Sequence, residues 1–393
     1  MTSQHFLPPR RSPFDQPEIF REIRDQDRLV KMTMWDGRKV WYVTRHADAR
    51  RVLRDSRFSV VRDKGLPEPT PGRDQTPGTL GRMDEPRHRE VRRMLSDEFL
   101  GKRIDALRPS IEHAVAAQLD HLLSATPPVD FHTAFAMAIP AATVGSLIGA
   151  SQEDRQTFRD CLEILADRTT SITRKSIADK EMYSCCRRLV EQKLAAPGED
   201  IISRCMTGPL RDGRLQPEEA YRTTVQIVSG GHDTTSATIT AGVLTMLVKP
   251  EWRHALRERP ETAPDAVEEL LRFHSPMPDG LPRVALEDVV VAGTRIRAGD
   301  GLLVCVAAAN WDERTFDQPD EVAIGRATAR QHLSFGHGAH RCIGQWLARA
   351  QIQIALRAVA TGIPTLRLAV PVEQIKFRED SFVGRVRELP VTW

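Results

Sequence analysis

The sequence has no strongly apolar run, no C-x-x-C motif and little net charge, and each absence narrows the range of functions. A long uncharged stretch, residues 133–150, carries a proline and two glycines among its alanines and is too weakly apolar to span a membrane, so we expect buried helices there. The six cysteines are irregularly spaced, which argues against a disulfide framework or a cysteine-rich zinc site. The 56 basic and 53 acidic side chains nearly balance, so nucleic acid is not an expected partner.

The N-terminal residues also lack the apolar run and cleavage site of a secretory signal, which makes the cytoplasm the expected location. Hydrophobic residues make up 40% and charged residues 28% of the chain's 393, so it can bury a large core and is expected to fold throughout. No internal repeat, low-complexity tract or linker divides the sequence.

Local patterns predict mostly helix with a minority of short strands. Asp36-Gly37 is a two-residue turn between strand-like segments, which indicates a hairpin near the N-terminus. Pro217 starts and Lys249 ends a predicted helix of about 32 residues, which at 1.5 Å per residue is about 48 Å long and crosses a whole domain. Short strands are expected between residues 283 and 306, a further helix from 345 to 362, and loops at 66–81 and 260–264.

Cys342 lies in the most informative segment, FGHGAHRCIG at residues 335–344. The segment directly precedes a helical pattern, and a helix N-terminus favours a thiolate over a thiol. Its glycines permit a tight loop with backbone donors near the sulfur and leave room for a flat cofactor. A plain buried cysteine, or a zinc site with His337 and His340, are alternatives at this point. The segment therefore predicts that Cys342 is a metal ligand or a nucleophile.

The middle of the predicted long helix is the segment GGHDTT, residues 230–235. Each glycine costs about 1 kcal/mol relative to alanine in a helix interior, so a local reason for the pair is expected. The hydroxyls of Thr234 and Thr235 can bond main-chain carbonyls and bend the helix, which opens a groove for a small ligand. The alternative is a close helix crossing.

Both segments resemble motifs of the cytochrome P-450 family. The family's haem-binding signature, F-x-x-G-x-H-x-C-x-G, is matched at Phe335, Gly338, His340, Cys342 and Gly344. The helix segment is similar to the family's A/G-G-x-D/E-T-T, with Gly230 where alanine is more usual. The resemblance implies a haem-thiolate monooxygenase with haem b as cofactor. It also implies a mainly α fold with a smaller β region, a triangular prism whose long central helix lies over the haem.

The resemblance assigns roles to individual residues. Cys342 would be the axial thiolate ligand of the haem iron, shielded by Phe335, and His340 would bond a haem propionate. Thr234 would hydrogen-bond the dioxygen, and Asp233 would supply protons for cleavage of the O–O bond. His232 is expected to face away from the haem and is given no chemistry.

Three further motifs carry the resemblance upstream and downstream. His88 and Arg92 share one helix face and match D-x-P-x-H-x-x-x-R, which makes them propionate ligands together with Arg283. Without the resemblance, the same pattern would indicate a solvent-exposed basic face of a helix. Glu269 and Arg272 match E-x-x-R, a structural network that Arg326 would join, whereas in isolation they would be a surface pair. Since these motifs span residues 84–344 and meet at one cofactor, we expect a single domain over residues 1–393.

The resemblance implies oxidation of a small apolar substrate with O2, such as hydroxylation or epoxidation, in secondary-metabolite biosynthesis. No flavin or nicotinamide domain is recognisable, so electrons are expected from a separate ferredoxin and ferredoxin reductase, and the protein is expected to be a monomer. The predicted docking face for the electron donor is formed by Arg89, Arg93, Arg341 and Arg349. The predicted substrate pocket is formed by Val228, Gly230, Met277, Gly280, Leu281 and Phe382. Two alternatives stay open: a haem-thiolate nitric oxide reductase that takes hydride directly from a nicotinamide, and a non-catalytic auxiliary protein.

Overall fold

The computed structural model describes residues 14–26, 28–34, 36–61, 66, 79–167, 169–277, 280–377, 383–384 and 386–393. Helices dominate these residues, and short 3-10 turns and one π-helical segment, His132–Ala136, connect some of them. The α-helices are α1 (Ile19–Arg24), α2 (His46–Arg54), α3 (Arg87–Ser96), α4 (Gly101–Ser124), α5 (Ala138–Leu147), α6 (Gln152–Ala166), α7 (Ile172–Ala195), α8 (Ile201–Cys205), α9 (Thr207–Arg211), α10 (Pro217–Val248), α11 (Pro250–Glu258), α12 (Ala263–His274), α13 (Val306–Ala309) and α14 (Gln345–Gly362).

The strands form three small sheets. They are β1 (Val30–Thr33), β2 (Lys39–Val43), β3 (Phe58–Ser59), β4 (Val129–Asp130), β5 (Leu281–Ala285), β6 (Val289–Val291), β7 (Thr294–Ile296), β8 (Gly301–Val304), β9 (Arg367–Leu368) and β10 (Pro390–Thr392). The largest sheet has the order β1-β2-β8-β5-β3, in which only β2 and β8 are parallel. The other two are β4-β10-β9 and the hairpin β6-β7.

The long helix α10 runs through the main hydrophobic core, as the sequence predicts. It begins with a capping box, in which the side chains of Gln216 and Glu219 satisfy backbone N–H groups that have no partner within the helix, and Pro217 occupies its first turn. It ends before Pro250, which starts α11. Threonine hydroxyls along its buried face donate hydrogen bonds to the carbonyls four residues earlier. These bonds let polar side chains lie in the core.

Small residues bring the central helices close together. α10 contacts α5, α7, α12 and α14. At Gly242 a Cβ atom would lie 2.8 Å from Leu356 of α14 and 3.0 Å from Leu270 of α12, closer than real Cβ contacts. A side chain there would therefore force the three helices apart, and the glycine fixes the frame that holds α12 and α14 beside the site.

Most predicted elements are present, with one difference. The hairpin at Asp36-Gly37, the strands after residue 280 and the helix over residues 345–362 are confirmed, and residues 133–150 form buried helical segments. The prediction of a loop over residues 260–264 is wrong, because a 3-10 turn covers Pro260–Thr262 and α12 already begins at Ala263. Proline suits the first turn of a helix, where its missing N–H costs nothing. Most of the loop predicted at 66–81 lies outside the described residues. Within the described part, no helix is long and apolar enough to cross a membrane.

Candidate functional site

The loop before α14 is a tight turn that is stabilised by its own backbone hydrogen bonds. The Cys342 N–H donates to the carbonyl oxygen of Phe335 at 2.8 Å, and the Gly336 N–H donates to that of Leu333 at 2.7 Å. Gly336 and Gly338 both have positive φ, at 70° and 76°. At Gly338 a Cβ would also lie 2.7 Å from the carbonyl oxygen of Leu53, so the loop lies directly against the end of α2. Both glycines are therefore needed for the conformation that presents Cys342.

The Cys342 side chain is exposed to open space at this loop. A Cβ at Gly344 would come within 4.0 Å of Sγ, so the glycine leaves that side of the sulfur clear. The protein atoms around the sulfur desolvate it and raise the pKa of the Cys342 thiol, and the Gly344 backbone N–H and the charges of Arg92 and Arg349 offset this only in part. A coordinated metal ion would displace the thiol proton.

The two glycines in the middle of α10 have different neighbours. Gly230 is exposed in a helix that is otherwise largely buried, and a Cβ added there would meet nothing within 4 Å. A Cβ at Gly231 would lie 2.9 Å from a methyl group of Val144 in α5. The Thr234 hydroxyl donates to the Gly230 carbonyl at 3.1 Å, which is the competition for a main-chain carbonyl that the sequence predicts. Gly230 thus borders open space, and Gly231 permits a close helix crossing.

His232 and Asp233 are directly paired, which the sequence analysis missed. His232 Nδ1 lies 2.8 Å from Asp233 Oδ1, and the histidine is only 3% exposed. Its Nε2 atom is buried and has no hydrogen-bond partner among the described residues. The Asp233 side chain is 15% exposed, so it remains partly accessible while the imidazole holds it.

Cationic side chains from three parts of the chain meet beside the cysteine loop. The rings of His88 on α3 and His340 lie 4.0 Å apart. Arg92, one turn after His88, donates to the carbonyl of Arg341 at 2.6 Å. Burial and, after it, the nearby charges of His88, Arg283 and Arg92 together lower the pKa of His340 to about 3. The structure therefore brings together the four residues predicted to bind propionates.

This cluster fits a group that carries carboxylates. His88 Nε2 is buried without a hydrogen-bond partner in the part of the chain that the structure describes, and so is His340 Nδ1. Buried nitrogen atoms of this kind are costly unless a partner is supplied. Two propionates would supply acceptors and negative charge, while the glycine loop and the exposed Cys342 offer a sulfur ligand beside them. The residues present thus suit a haem.

Glu269 on α12 holds two arginines, the buried Arg272 and the partly buried Arg326. Arg272 donates to both of its carboxylate oxygens at 2.8 Å, and Arg326 Nε donates to Oε1 at 3.0 Å. Glu269 and Arg272 are each 0% exposed. Both arginines also donate to the carbonyl of Glu321, so the network joins α12 to the segment before the cysteine loop.

A second buried network, absent from the sequence analysis, is centred on Glu268. Its carboxylate receives hydrogen bonds from Arg349 at 2.6 and 3.0 Å and contacts His332 Nε2 at 3.1 Å. Arg349 is only 8% exposed, so its predicted place on a docking face is wrong: burial and the bond to Glu268 hold it inside. The signal in the sequence was a second acidic residue directly before the E-x-x-R motif.

The remaining predicted residues lie in different surroundings. Val228 packs in the main core, whereas Met277 and Leu281 pack against the cluster formed by the largest sheet. Gly280 has a φ of 89° and lies against the carbonyl of Val304. Phe382 lies outside the described residues. On the predicted docking face, Arg89, Arg93 and Arg341 are exposed, and Arg89 is paired with Glu85 at 3.0 Å.

The chain is similar to a family model and to several proteins of known function or structure. A model of the cytochrome P-450 family matches residues 261–361. The chain is 36% identical to vitamin D3 dihydroxylase of Streptomyces griseolus, over 98% of the chain and 95% of that protein. It is 37% identical to pentalenic acid synthase of Streptomyces avermitilis, over 98% and 96%. The crystal structure of mycinamicin VIII C21 methyl hydroxylase from Micromonospora griseorubida superposes with a TM-score of 0.92 at 34% identity, covering 98% of this chain and 99% of that one.

The chain belongs to the cytochrome P-450 family. Its fold is the cytochrome P-450 fold, mainly α with a smaller β region, and its cofactor is haem b. Its activity is that of a haem-thiolate monooxygenase. The predicted family, fold and cofactor are thereby confirmed.

Proposed function

We propose that Cys342 is the axial ligand of the haem iron and that His88, Arg92, Arg283 and His340 bind the propionates. The observation that carries this assignment is the pair of buried, unpartnered imidazole nitrogens on His88 and His340 beside the cysteine loop. Phe335 and Gly344 complete the proposed haem site. The Phe335 carbonyl accepts a hydrogen bond from the Cys342 N–H, and Gly344 leaves space beside the sulfur. Glu269, Arg272 and Arg326 fix the chain behind the loop and take no part in the reaction.

Haem b, when bound, supplies the activation of O2 and the insertion of one oxygen atom into a C–H or C=C bond. We infer that the α10 residues control access and protons on the oxygen side. Gly230 leaves an open space, and the Thr234 hydroxyl at its edge orients the oxygen species. Asp233, partly exposed and held by His232, is the group that delivers protons. This acid and alcohol pair favours oxygen activation over nitric oxide reduction.

We propose that the substrate is a small, largely apolar natural product. Support comes from the relatives, which include pentalenic acid synthase, nocardicin C N-oxygenase and mycinamicin VIII C21 methyl hydroxylase. The pocket is proposed to include Val228, Gly230, Met277, Gly280, Leu281 and Phe382. The protein is further proposed to act as a single-domain cytoplasmic monomer.

The reaction is tested by reconstitution with a bacterial ferredoxin, its reductase and NADPH. Terpenoid and macrolide compounds are first screened for a substrate-induced shift of the Soret band, and those that bind are turned over under isotope-labelled dioxygen. One labelled oxygen atom in the product supports the proposal. NADH consumption driven by nitric oxide without ferredoxin, or co-purification with another enzyme and no oxygen turnover with any reductant, would instead support one of the two alternatives.

We propose that an acidic ferredoxin docks on a basic face centred on the end of α2. Arg50, Arg51, Arg54 and His337 line a surface cavity of about 540 Å³ there. Asp55 borders the same cavity, but Arg57 neutralises it through hydrogen bonds of 2.6 to 3.2 Å. The loop at Gly338 lies against Leu53 and Arg54, so this face adjoins the segment that carries Cys342.

Charge reversal at Arg50 or Arg54 tests this face. We expect each Arg→Glu variant to slow reduction by ferredoxin about tenfold at low ionic strength, and the difference to shrink as salt screens the charges. The control is Arg367→Glu, an exposed arginine on β9. Equal slowing in the control, or a loss that salt does not change, would contradict the docking face.

A further inference from the structure

Two adjacent glutamates of α12 hold two separate buried ion pairs. Glu269 binds Arg272 and Arg326, and Glu268 binds Arg349 and His332. Glu268 is 3% exposed and His332 is 7% exposed. Removing one partner from such a pair leaves a buried charge, so both networks must contribute to folding. The two networks differ in the other contacts of their arginines: Arg349 also contacts the cysteine loop, and Arg326 instead bonds backbone carbonyls before that loop.

The hydrogen bonds around His332 define its protonation. The Ser334 N–H donates to His332 Nδ1 at 3.1 Å, so the ring hydrogen lies on Nε2, where it is donated to Glu268. Burial lowers the pKa of His332, which keeps the ring neutral. The network therefore contains one negative charge, on Glu268, and one positive charge, on Arg349.

Arg349 carries its charge towards the cysteine loop. Its guanidinium lies 4.4 Å from the centroid of the Phe335 ring, within the range of a cation–π contact, and the His332 ring lies 5.6 Å from the same ring. The Phe335 carbonyl is the acceptor for the Cys342 N–H. Three contacts thus connect Glu268 to Cys342 through Arg349 and Phe335.

We propose that Arg349, held in place by Glu268, is a positioning residue that sets how strongly the Cys342 sulfur donates electrons to the haem iron. The inference rests on the proposed ligation by Cys342. Arg349 fixes the Phe335 ring and, with it, the carbonyl that orients Cys342. Its positive charge near the sulfur would also favour reduced iron, which has one positive charge fewer than oxidised iron.

The second network provides a matched control. Arg326 is bound to the adjacent glutamate, but its other hydrogen bonds go to the carbonyls of Asp317, Gln318 and Glu321. Arg349→Gln and Arg326→Gln each remove one arginine from a buried glutamate. A purely structural role predicts the same outcome for both variants, namely lower thermal stability with an unchanged potential.

The experiment is a spectroelectrochemical titration of the haem in both variants, together with thermal unfolding. We expect Arg349→Gln to lower the ratio of reduced to oxidised protein at a fixed potential by about threefold or more, whereas Arg326→Gln leaves it unchanged. Arg349→Lys keeps the charge but loses the planar fork, so it should restore most of the ratio without restoring full stability.

Glu268→Gln tests the sign of the effect. It leaves the Arg349 charge uncompensated, so the ratio should move in the opposite direction. Equal shifts in the Arg349 and Arg326 variants, or no shift in either, would overturn the inference. If Arg349→Gln does not fold, Glu268→Gln decides, because the proposal predicts a higher ratio of reduced to oxidised protein in that variant, whereas a purely structural role predicts an unchanged ratio. A wild-type protein without a thiolate-type carbon monoxide spectrum would overturn the proposed function first, and the two failures are distinguishable.

Discussion

At the scale of single residues, Asp233 is the proposed proton donor, and the structure defines its surroundings directly. The buried imidazole of His232 contacts its Oδ1 at 2.8 Å, which limits rotation of the carboxylate. The contact joins an imidazole nitrogen to a carboxylate oxygen, so the Nδ1–H of His232 donates and the Asp233 carboxylate accepts. The carboxylate is therefore held by a group that the reaction does not consume.

Variants of His232 test whether this residue acts by orienting the Asp233 carboxylate. His232→Leu should release the Asp233 carboxylate, which then delivers protons less efficiently. We therefore expect a severalfold rise in the fraction of reducing equivalents lost as hydrogen peroxide. His232→Asn keeps a short donor near Oδ1 and should stay close to wild type. The measurement is peroxide formed per NADPH consumed with a bound substrate. Equal uncoupling in both variants would show that holding alone is not the role.

Sequence reasoning found the residues that lie in short local patterns and missed those defined by longer contacts. Cys342, Thr234 and Asp233 follow from motifs a few residues long. His232 was set aside because neighbours on a helix point about 100° apart, yet its side chain is long enough to reach the next carboxylate.

At the scale of elements, the cysteine loop depends on its close approach to α2. Gly338→Ala would place a Cβ 2.7 Å from the Leu53 carbonyl in addition to straining a positive φ. We expect a loss of about 2 to 4 kcal/mol in the free energy of unfolding, together with weaker haem retention. Denaturant titration of the holoenzyme, followed at the Soret band, measures both.

Gly325→Ala is the matched control for strain alone. Gly325 also has a positive φ, at 84°, but a Cβ there would meet nothing within 4 Å. It should cost about 1 kcal/mol and leave haem retention unchanged. Equal losses in the two variants would show that contact with α2 does not hold the loop.

The sequence predicts elements well where their ends carry local signals. Helix α10 is bounded by a capping box and a proline, and α14 follows the glycine loop. The start of α12 was missed because two prolines four residues apart, Pro260 and Pro264, look like a loop, although each can also occupy the first turn of a helix. The burial of Arg349 was missed because its partner, Glu268, lies 81 residues away.

At the scale of the whole molecule, the Glu268 network links stability to pH. Burial by itself raises the pKa of Glu268, but hydrogen bonds from His332 and Arg349 outweigh it and lower the pKa to about 2. A depressed carboxylate pKa stabilises the fold above the ordinary value of 4.5, and this contribution is lost as the pH falls towards 2.

We therefore expect Glu268→Gln to be less stable than wild type at neutral pH, and the difference to narrow between about pH 4.5 and pH 2. His332 also has a lowered pKa, so wild type should begin to lose stability as the pH falls below 6.5. Urea unfolding of both proteins at a series of pH values measures this. A difference that stays constant down to the acid limit would contradict the depressed pKa of Glu268.

The difference spectrum of the reduced protein with carbon monoxide, recorded for wild type and Cys342→Ser, tests the central claim most directly. Ligation of the haem iron by the Cys342 thiolate predicts a strongly red-shifted Soret band in wild type that is lost in the variant. A band that the substitution leaves unchanged, or a wild-type protein that binds no haem, would contradict it.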